Sequence, residues 1–339
     1  MPISPMTCIL NQAVRPENSP LNILSYSTHE RYQSIFGRMP HTFYLLQGEH
    51  VKPWRNDYAA LPQNHIILPK GSDIPVSLDV DLIWSQNKFA HYQFSSQLSR
   101  QLHCPLISLE HTLPPPNWGE AQIKNMTNMK GNINVYISEY SLDKWLVEPG
   151  PDVRVIKHCV DSELFACEDE FSNVPRKNVI MSCCNDFIGR DWCLNYQGWR
   201  RLTKDLPIHI VGDTKGLSIA ARDVNELVSF YNESSIFLNT SIISPIPSVC
   251  LEAAACGCGI VSTNNCMIPE IFTHGKDAFL SNDEKELRNY CEILLKDPDL
   301  SKRMGLAARQ TILEKCSVDR FLKEWEDLFQ EAAATPYIL

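Results

Sequence analysis

The residues best suited to chemistry lie in one run, SPIPSVCLEAAACGCGIVSTNNCMIPEIF, from Ser244 to Phe272. Pro247, Ser248 and Val249 open an apolar helix that Gly257 stops, and Gly259 to Ser262 reads as a buried strand. First-turn amides beside a Ser hydroxyl, at the positive end of a helix dipole, make an anion site. Glu252 follows Ser248 by four residues and shares its helix face. A carboxylate there repels phosphate but accepts hydrogen bonds from sugar hydroxyls. Phosphates at the helix end and a diol one turn further describe a nucleoside diphosphate.

The elements that must position this run are legible on either side of it. The 339 residues fit about two domains. From Leu21 onward short apolar runs alternate with amphipathic stretches, the pattern of strands joined by helices in a parallel sheet. In the first half, strands are expected at Leu21–Tyr26, Asp81–Ser85, Pro105–Leu109, Asn134–Ser138 and Val153–Ile156. Helices are expected from Thr28, over Lys88–Leu102 and from Ser141. The acidic, irregular stretch from Asp161 to Lys177 reads as a hinge. The rhythm then restarts, with strands at Val179–Ser182, Ile208–Val211, Ile236–Leu238 and Gly259–Ser262. Its helices are Trp192–Leu202, Asn225–Tyr231 and Ser248–Cys256, and Asp283–Glu331 is expected to be helical. Two similar halves imply an α/β chain of two Rossmann-like doubly wound domains facing a cleft, with ligands at the carboxyl ends of the strands.

Composition narrows the partners. Apolar residues are 44% and charged residues 21%, ordinary for a globular chain. Residues 1–160 carry 13 Lys+Arg against 13 Asp+Glu, so the net charge of −9 lies wholly in the second half. No basic run of the kind that binds nucleic acid or an anionic membrane occurs. Apolar runs fall short of the ~18 residues of a transmembrane helix. The first twenty residues, with Arg15 and Glu17, lack the apolar core of a secretory signal. The 13 cysteines include no Cys-x2-Cys pair and read as small buried apolar residues in a reducing cytoplasm. Asp79-Val80-Asp81 spells a metal-binding pattern, but it precedes its strand, at the end of the sheet away from ligands. It reads as a solvated strand start, and no metal is expected.

The Ser244–Phe272 run resembles the signature of retaining glycosyltransferases of the GT-B fold, family four or "group 1" type. That pattern is Glu, seven residues, Glu, then Ala-x-Ala-x-Gly, an apolar strand and a Gly-Gly-x-Pro-Glu turn. Leu251–Gly257 matches its second half, and Ile268-Pro269-Glu270 its last turn. Ile156–Asp161 with Phe165 is similar to the family's interdomain segment, and Ile208–Gly212 to its Val-Gly strand end. Cys316-Ser317 and the helix after them resemble its last helix, which crosses back to the first domain. The expected division is therefore 1–160, 161–317 and a crossing helix at 318–333. The chain departs from the pattern at Ser244, where the first Glu falls, and at Cys266-Met267, in place of Gly-Gly. Ser27-Thr28-His29 replaces the Gly-rich loop after the first strand.

The resemblance implies a retaining, metal-independent glycosyltransferase that moves a sugar from a nucleotide-diphosphate sugar to an acceptor hydroxyl. The catalytic candidates are His111 against the sugar, Arg190 on the diphosphate and Ser244 beside the donor sugar. Gly212, Lys215, Arg222, Val224, Pro247, Ser248, Val249 and Glu252 are expected to bind donor, and His29 and Glu30 to lie on the acceptor side. The nucleotide sugar is a co-substrate, with no further cofactor. The acceptor class is a glycan, a lipid-linked or another hydroxyl compound, in a cytoplasmic setting compatible with peripheral membrane contact. Two alternatives stand beside this reading. One is a catalytically weak nucleotide-sugar or glycan-binding protein of the same fold, motivated by Ser244. The other is a glycosyltransferase acting on modified nucleic acid, against which the neutral first half counts.

Overall fold

The computed structural model describes residues 14–48, 51–70, 78–89, 91–168 and 176–335. The chain forms two compact units, Met1–Lys157 with Phe321–Leu339, and His158–Arg320. Among the described residues no helix is long and apolar enough to cross a membrane. Most of the N-terminal stretch read above as lacking a signal lies outside the described residues.

Seven parallel strands build the first unit. They are β1 (Asn22–Tyr26), β2 (Thr42–Leu46), β3 (His65–Ile67), β4 (Leu82–Ser85), β5 (Leu106–Glu110), β6 (Ile133–Tyr136) and β7 (Val153–Val155), in the order β3-β2-β1-β4-β5-β6-β7. The order reverses between β1 and β4, which sets the ligand crevice at their carboxyl ends. β4 and β5 are buried along their whole length, hence their near-continuous apolar sequence. The sequence reading has no counterpart of β2 and β3. β3 is three residues long at the sheet edge, with Ile66 and Ile67 exposed, too little for a periodic signal.

The helix Val318–Ala334 supplies apolar rings at four-residue spacing, Phe321, Trp325 and Phe329. They pack around Phe36 with ring centroids 5.4, 5.6 and 6.1 Å away. Trp84 of β4 lies 4.9 Å from Trp325.

A buried polar chain runs under the β1–β4 crevice. Thr28 Oγ1 donates to Gln86 Oε1 at 2.6 Å, and Gln86 Nε2 donates to Gln33 Oε1 at 2.5 Å. Gln33 Nε2 donates to His65 Nε2 at 3.1 Å, so the proton sits on Nδ1 and is donated to Asn64 Oδ1 at 2.8 Å. This ring has no room for a second proton without losing its Gln33 bond, and burial pushes its pKa down to about 4. Burial also pushes His91, stacked on Tyr26 at 4.2 Å, down to about 4. Above the ordinary histidine value near 6.5 both rings are neutral folded or unfolded, and their contribution to stability is fully present. As pH falls from there toward about 4 the unfolded chain takes up protons that the folded one refuses, so stability is lost. Each ring is worth up to roughly 3 kcal/mol. Thermal unfolding followed from pH 7 to 4.5 is expected to show a falling midpoint, with a shallower fall for His65→Gln.

The second unit has five parallel strands, β8 (Lys177–Cys183), β9 (Ile208–Val211), β10 (Ser234–Asn239), β11 (Gly259–Ser262) and β12 (Phe279–Leu280), in the order β12-β11-β10-β8-β9. Its reversal lies between β8 and β10. The helix Ser248–Ala255 is sunk in this unit, with Cys250, Leu251 and Ala253 to Ala255 fully buried. Two arginines cap its carboxyl end: Arg309 donates to Ala255 O at 2.5 Å and Arg176 to Cys256 O at 2.5 Å. The helix Pro298–Lys315 crosses so near that a Cβ on Gly305 would lie 2.0 Å from Gly257 O.

Several expected elements change. Trp192–Leu202 is two helices, Asp191–Leu194 and Tyr196–Leu202. Asn195 breaks the run with φ 58° and caps the second helix by accepting from Gly198 N at 3.2 Å. The helix after β4 is Tyr92–Leu102 and does not begin at Lys88, whose buried ammonium donates to Ser108 Oγ at 3.3 Å and to Met129 O at 2.5 Å. Asp283–Glu331 is interrupted at Asp297, which caps the helix after it, and at Cys316–Ser317. Asp81 is not solvated. It is 7% exposed, accepts from Asn22 N at 2.7 Å and pairs with Arg15. In the stretch read as a hinge, Phe165 is part of the second unit's core with Val160 just before it, and residues 169–175 lie outside the described residues.

Candidate functional site

Every donor candidate sits on a loop or helix that follows a strand of the second unit at its carboxyl end. Two of these loops are locked together. Asp186 N, after β8, donates to Asp213 O at 2.7 Å, and Phe187 N donates to Thr214 Oγ1 at 3.0 Å. Asp213 N returns a bond to Asn185 Oδ1 at 2.8 Å. The crossing depends on Gly212, with φ 127°, where a Cβ would lie 1.9 Å from Cys184 O. Arg190, exposed, ends the first loop as the residue before the Asp191–Leu194 helix. Lys215, also exposed, lies in the turn between Thr214 and Ser218. Two cations thus border the β8 and β9 ends.

The loop after β10 is held from both sides. Ile242 N and Ile243 N donate to Cys193 O at 2.8 and 3.1 Å, and Thr240 Oγ1 donates to Leu194 O at 3.0 Å. From the β11 side, Thr263 Oγ1 donates to Ser241 O at 2.6 Å and Asn265 Nδ2 to Ile242 O at 3.3 Å. Ser244, half-buried, follows directly. The helix then opens with Pro247 as its N-cap residue, and no side chain caps it. Ser248 is exposed as the first helical residue and the first turn holds no acid. Cys250 N donates back to Pro247 O at 2.8 Å, so the amides of Ser248 and Val249 are the ones that precede the first helical bond.

Glu252 is more enclosed than a surface diol-binder, at 6% exposed. Tyr231 Oη, itself fully buried, donates to Glu252 Oε2 at 3.1 Å. Sequence reasoning missed Tyr231, because nothing in Phe230-Tyr231-Asn232 distinguishes a core tyrosine from one aimed at a carboxylate. Arg222 is tied to its own helix, 3.3 Å from Asp223 and 3.8 Å from Glu226, and Val224 is the first residue of the helix Val224–Glu233.

In the first unit the catalytic candidate His111 meets the acceptor-side candidate His29. His111 directly follows β5 and its ring meets Tyr32 edge-on at 4.7 Å and His29 at 5.8 Å. Glu30 is 9% exposed and accepts from Arg55 N at 3.1 Å, fixing the chain that follows β2. Glu110 holds the His111 loop. Its Oε1 accepts from Thr112 N at 2.8 Å and Thr112 Oγ1 at 2.6 Å, and its Oε2 accepts from Lys88 N at 3.0 Å. Burial pushes the Glu110 carboxyl up, and burial pushes Lys88 down to about 8.

Among the described residues no cluster of three or more His, Cys, Asp or Glu side chains is placed to hold a metal. Their twelve cysteines are all free thiols.

Residues 219–311 match the family model described as glycosyl transferases group 1. Over 85 residues the chain is 31% identical to N-acetyl-alpha-D-glucosaminyl L-malate synthase of Bacillus anthracis, a match covering 24% of this chain and 22% of that protein. The matched segments span less than a third of each curated relative. Among solved structures, a sucrose-phosphate synthase from Thermosynechococcus elongatus is similar with a TM-score of 0.71 at 14% identity, covering 92% of this chain and 98% of that one. Anabaena HepE in complex with UDP is similar with a TM-score of 0.71 at 14% identity, covering 91% and 99%. The match to the group 1 glycosyltransferase model thus covers residues 219–311, and the two parallel sheets have the GT-B fold of these solved structures.

Proposed function

We propose that the chain is a retaining glycosyltransferase that moves a sugar from a nucleoside-diphosphate sugar to an acceptor hydroxyl. The observation that carries this reading is the uncapped opening of the Ser248–Ala255 helix at the carboxyl side of β10, with Glu252 one turn inside it. In this reading the diphosphate lies on the first-turn amides, bordered by Arg190 and Lys215, and the ribose hydroxyls reach Glu252. The acceptor hydroxyl attacks the anomeric carbon on the face that the diphosphate leaves. The bond from that carbon to the phosphate oxygen breaks, the new glycosidic bond forms, and the hydroxyl proton passes to the departing phosphate. The protein stabilises the negative charge growing on the diphosphate with fixed dipoles and cations. In this reading His29 stands on the acceptor side and His111, which its ring meets edge to face, lies against the sugar.

A cytoplasmic setting, where nucleotide sugars meet reduced thiols, belongs to the same reading. So does independence from metal. Transfer is expected to survive EDTA, since the charge is met by amides and guanidinium. Full loss in EDTA, restored by manganese, would contradict it. The decisive experiment is release of nucleoside diphosphate from a panel of UDP-, ADP- and GDP-sugars, with and without glycan acceptors. Ser244 favours a second reading, a protein that binds nucleotide sugar without turnover, because a hydroxyl supplies no negative charge beside a developing oxocarbenium. Binding without release in that panel would decide for it.

A further inference from the structure

Ser244 and Cys266, the two positions at which the Ser244–Phe272 run departs most from the resembled pattern, are in contact. Ser244 N donates to Cys266 Sγ at 3.4 Å, and the same thiol lies 3.8 Å from Ile242 O, to which it donates. Cys266 is 3% exposed and has φ 53°, a left-handed backbone that a glycine adopts with less strain. Strain of this kind persists where the surroundings hold it in place. Here the side chain does what a glycine cannot, since a neutral thiol can accept from one amide and donate to a carbonyl at once.

The rest of the clamp stops short of Ser244. Cys193 O and Leu194 O bind residues 240–243, and Thr263 and Asn265 bind the carbonyls of Ser241 and Ile242. The Ser244 amide is the last point of the loop that these contacts fix before the Ser248 helix begins, and its bond is to Cys266. We propose that Cys266 is a positioning residue for Ser244. It orients the hydroxyl at the donor site and fixes the approach of the chain to the anion-binding turn. The two replacements then form one unit, in which the thiol is the counterpart of the serine. This inference rests on the donor-site reading above.

The test uses the full chain and the variants Cys266→Gly and Cys266→Ala. Glycine is compatible with the backbone there, so it keeps the fold while removing the thiol. The first readout needs no ligand. Hydrogen–deuterium exchange in the peptide covering 242–246 is expected to speed up about tenfold or more in both variants, while β8 and β11 keep their protection. The second readout is turnover of the UDP-, ADP- and GDP-sugar panel. Cys266→Gly is expected to lower kcat about tenfold while UDP affinity stays within about twofold, the signature of misplacement rather than lost binding. In that background Ser244→Ala is expected to add less than about a twofold further loss, because the hydroxyl is already unplaced. Unchanged exchange at 242–246 overturns the proposal, and so do losses that multiply independently. If the wild type neither binds nor turns over any member of the panel, the donor-site reading falls, while exchange still decides whether the thiol holds the loop.

Discussion

Alanine at Gly212 is expected to unfold the second unit well below the wild-type midpoint. The added Cβ would lie 1.9 Å from Cys184 O, a backbone atom that β8 cannot withdraw, and φ at this position is 127°. Backbone strain and a clash with an immovable carbonyl together cost on the order of 3 kcal/mol or more. For a unit of this size that is a fall of roughly 6–12 °C. Gly216 is the control. It also has positive φ, at 79°, but nothing lies within 4 Å of its Cβ position, so alanine there costs only about 1–2 kcal/mol of backbone strain. Equal midpoints for the two variants would show that the crossing of the β8 and β9 loops does not depend on close approach.

Glu252→Gln is expected to bind nucleoside diphosphate about ten- to a hundredfold more weakly than wild type, with unchanged circular dichroism. The change keeps shape and an acceptor for the Tyr231 hydroxyl, now 3.1 Å from the carboxylate. It removes the charge that, in the proposed reading, strengthens bonds from ribose hydroxyls, worth roughly 1.5–3 kcal/mol. Calorimetry with UDP, ADP and GDP measures it. Tyr231→Phe leaves the charge but frees the carboxylate to turn, so a smaller loss is expected. Unchanged affinity in a folded Glu252→Gln protein would remove this carboxylate from the donor site.

The run matched by the family model and its Ser248–Ala255 helix were legible because they are local. The Ser248–Ala255 helix, its stop at Gly257 and the β11 strand lie within 15 consecutive residues, where period, breaker and capping signals act directly. The catalytic candidate His111 and the acceptor-side candidate His29 also came from a local cue, chemistry-bearing residues just past apolar strands. Their meeting was not legible, since His29 and His111 stand 82 positions apart and join only because β1, β4 and β5 are neighbours in one sheet. β3 was missed because three residues at an exposed sheet edge show no burial pattern, and Asn195 because a single left-handed residue leaves the apolar spacing on both sides intact.

By itself the sequence determined the features that nearest neighbours along the chain impose: two runs of alternating strands and helices, a helix opening suited to an anion, and a carboxylate one turn inside it. Tertiary structure alone decided which partners those groups have. It buried Asp81 against Arg15 and Asn22, set Tyr231 on Glu252, and brought Cys266 to the Ser244 amide across 22 residues. The physical reason is that a side chain's charge and hydrogen bonds depend on what packing places within about 3 Å of it. In parallel sheets those neighbours come from other strands, whose order no local pattern encodes.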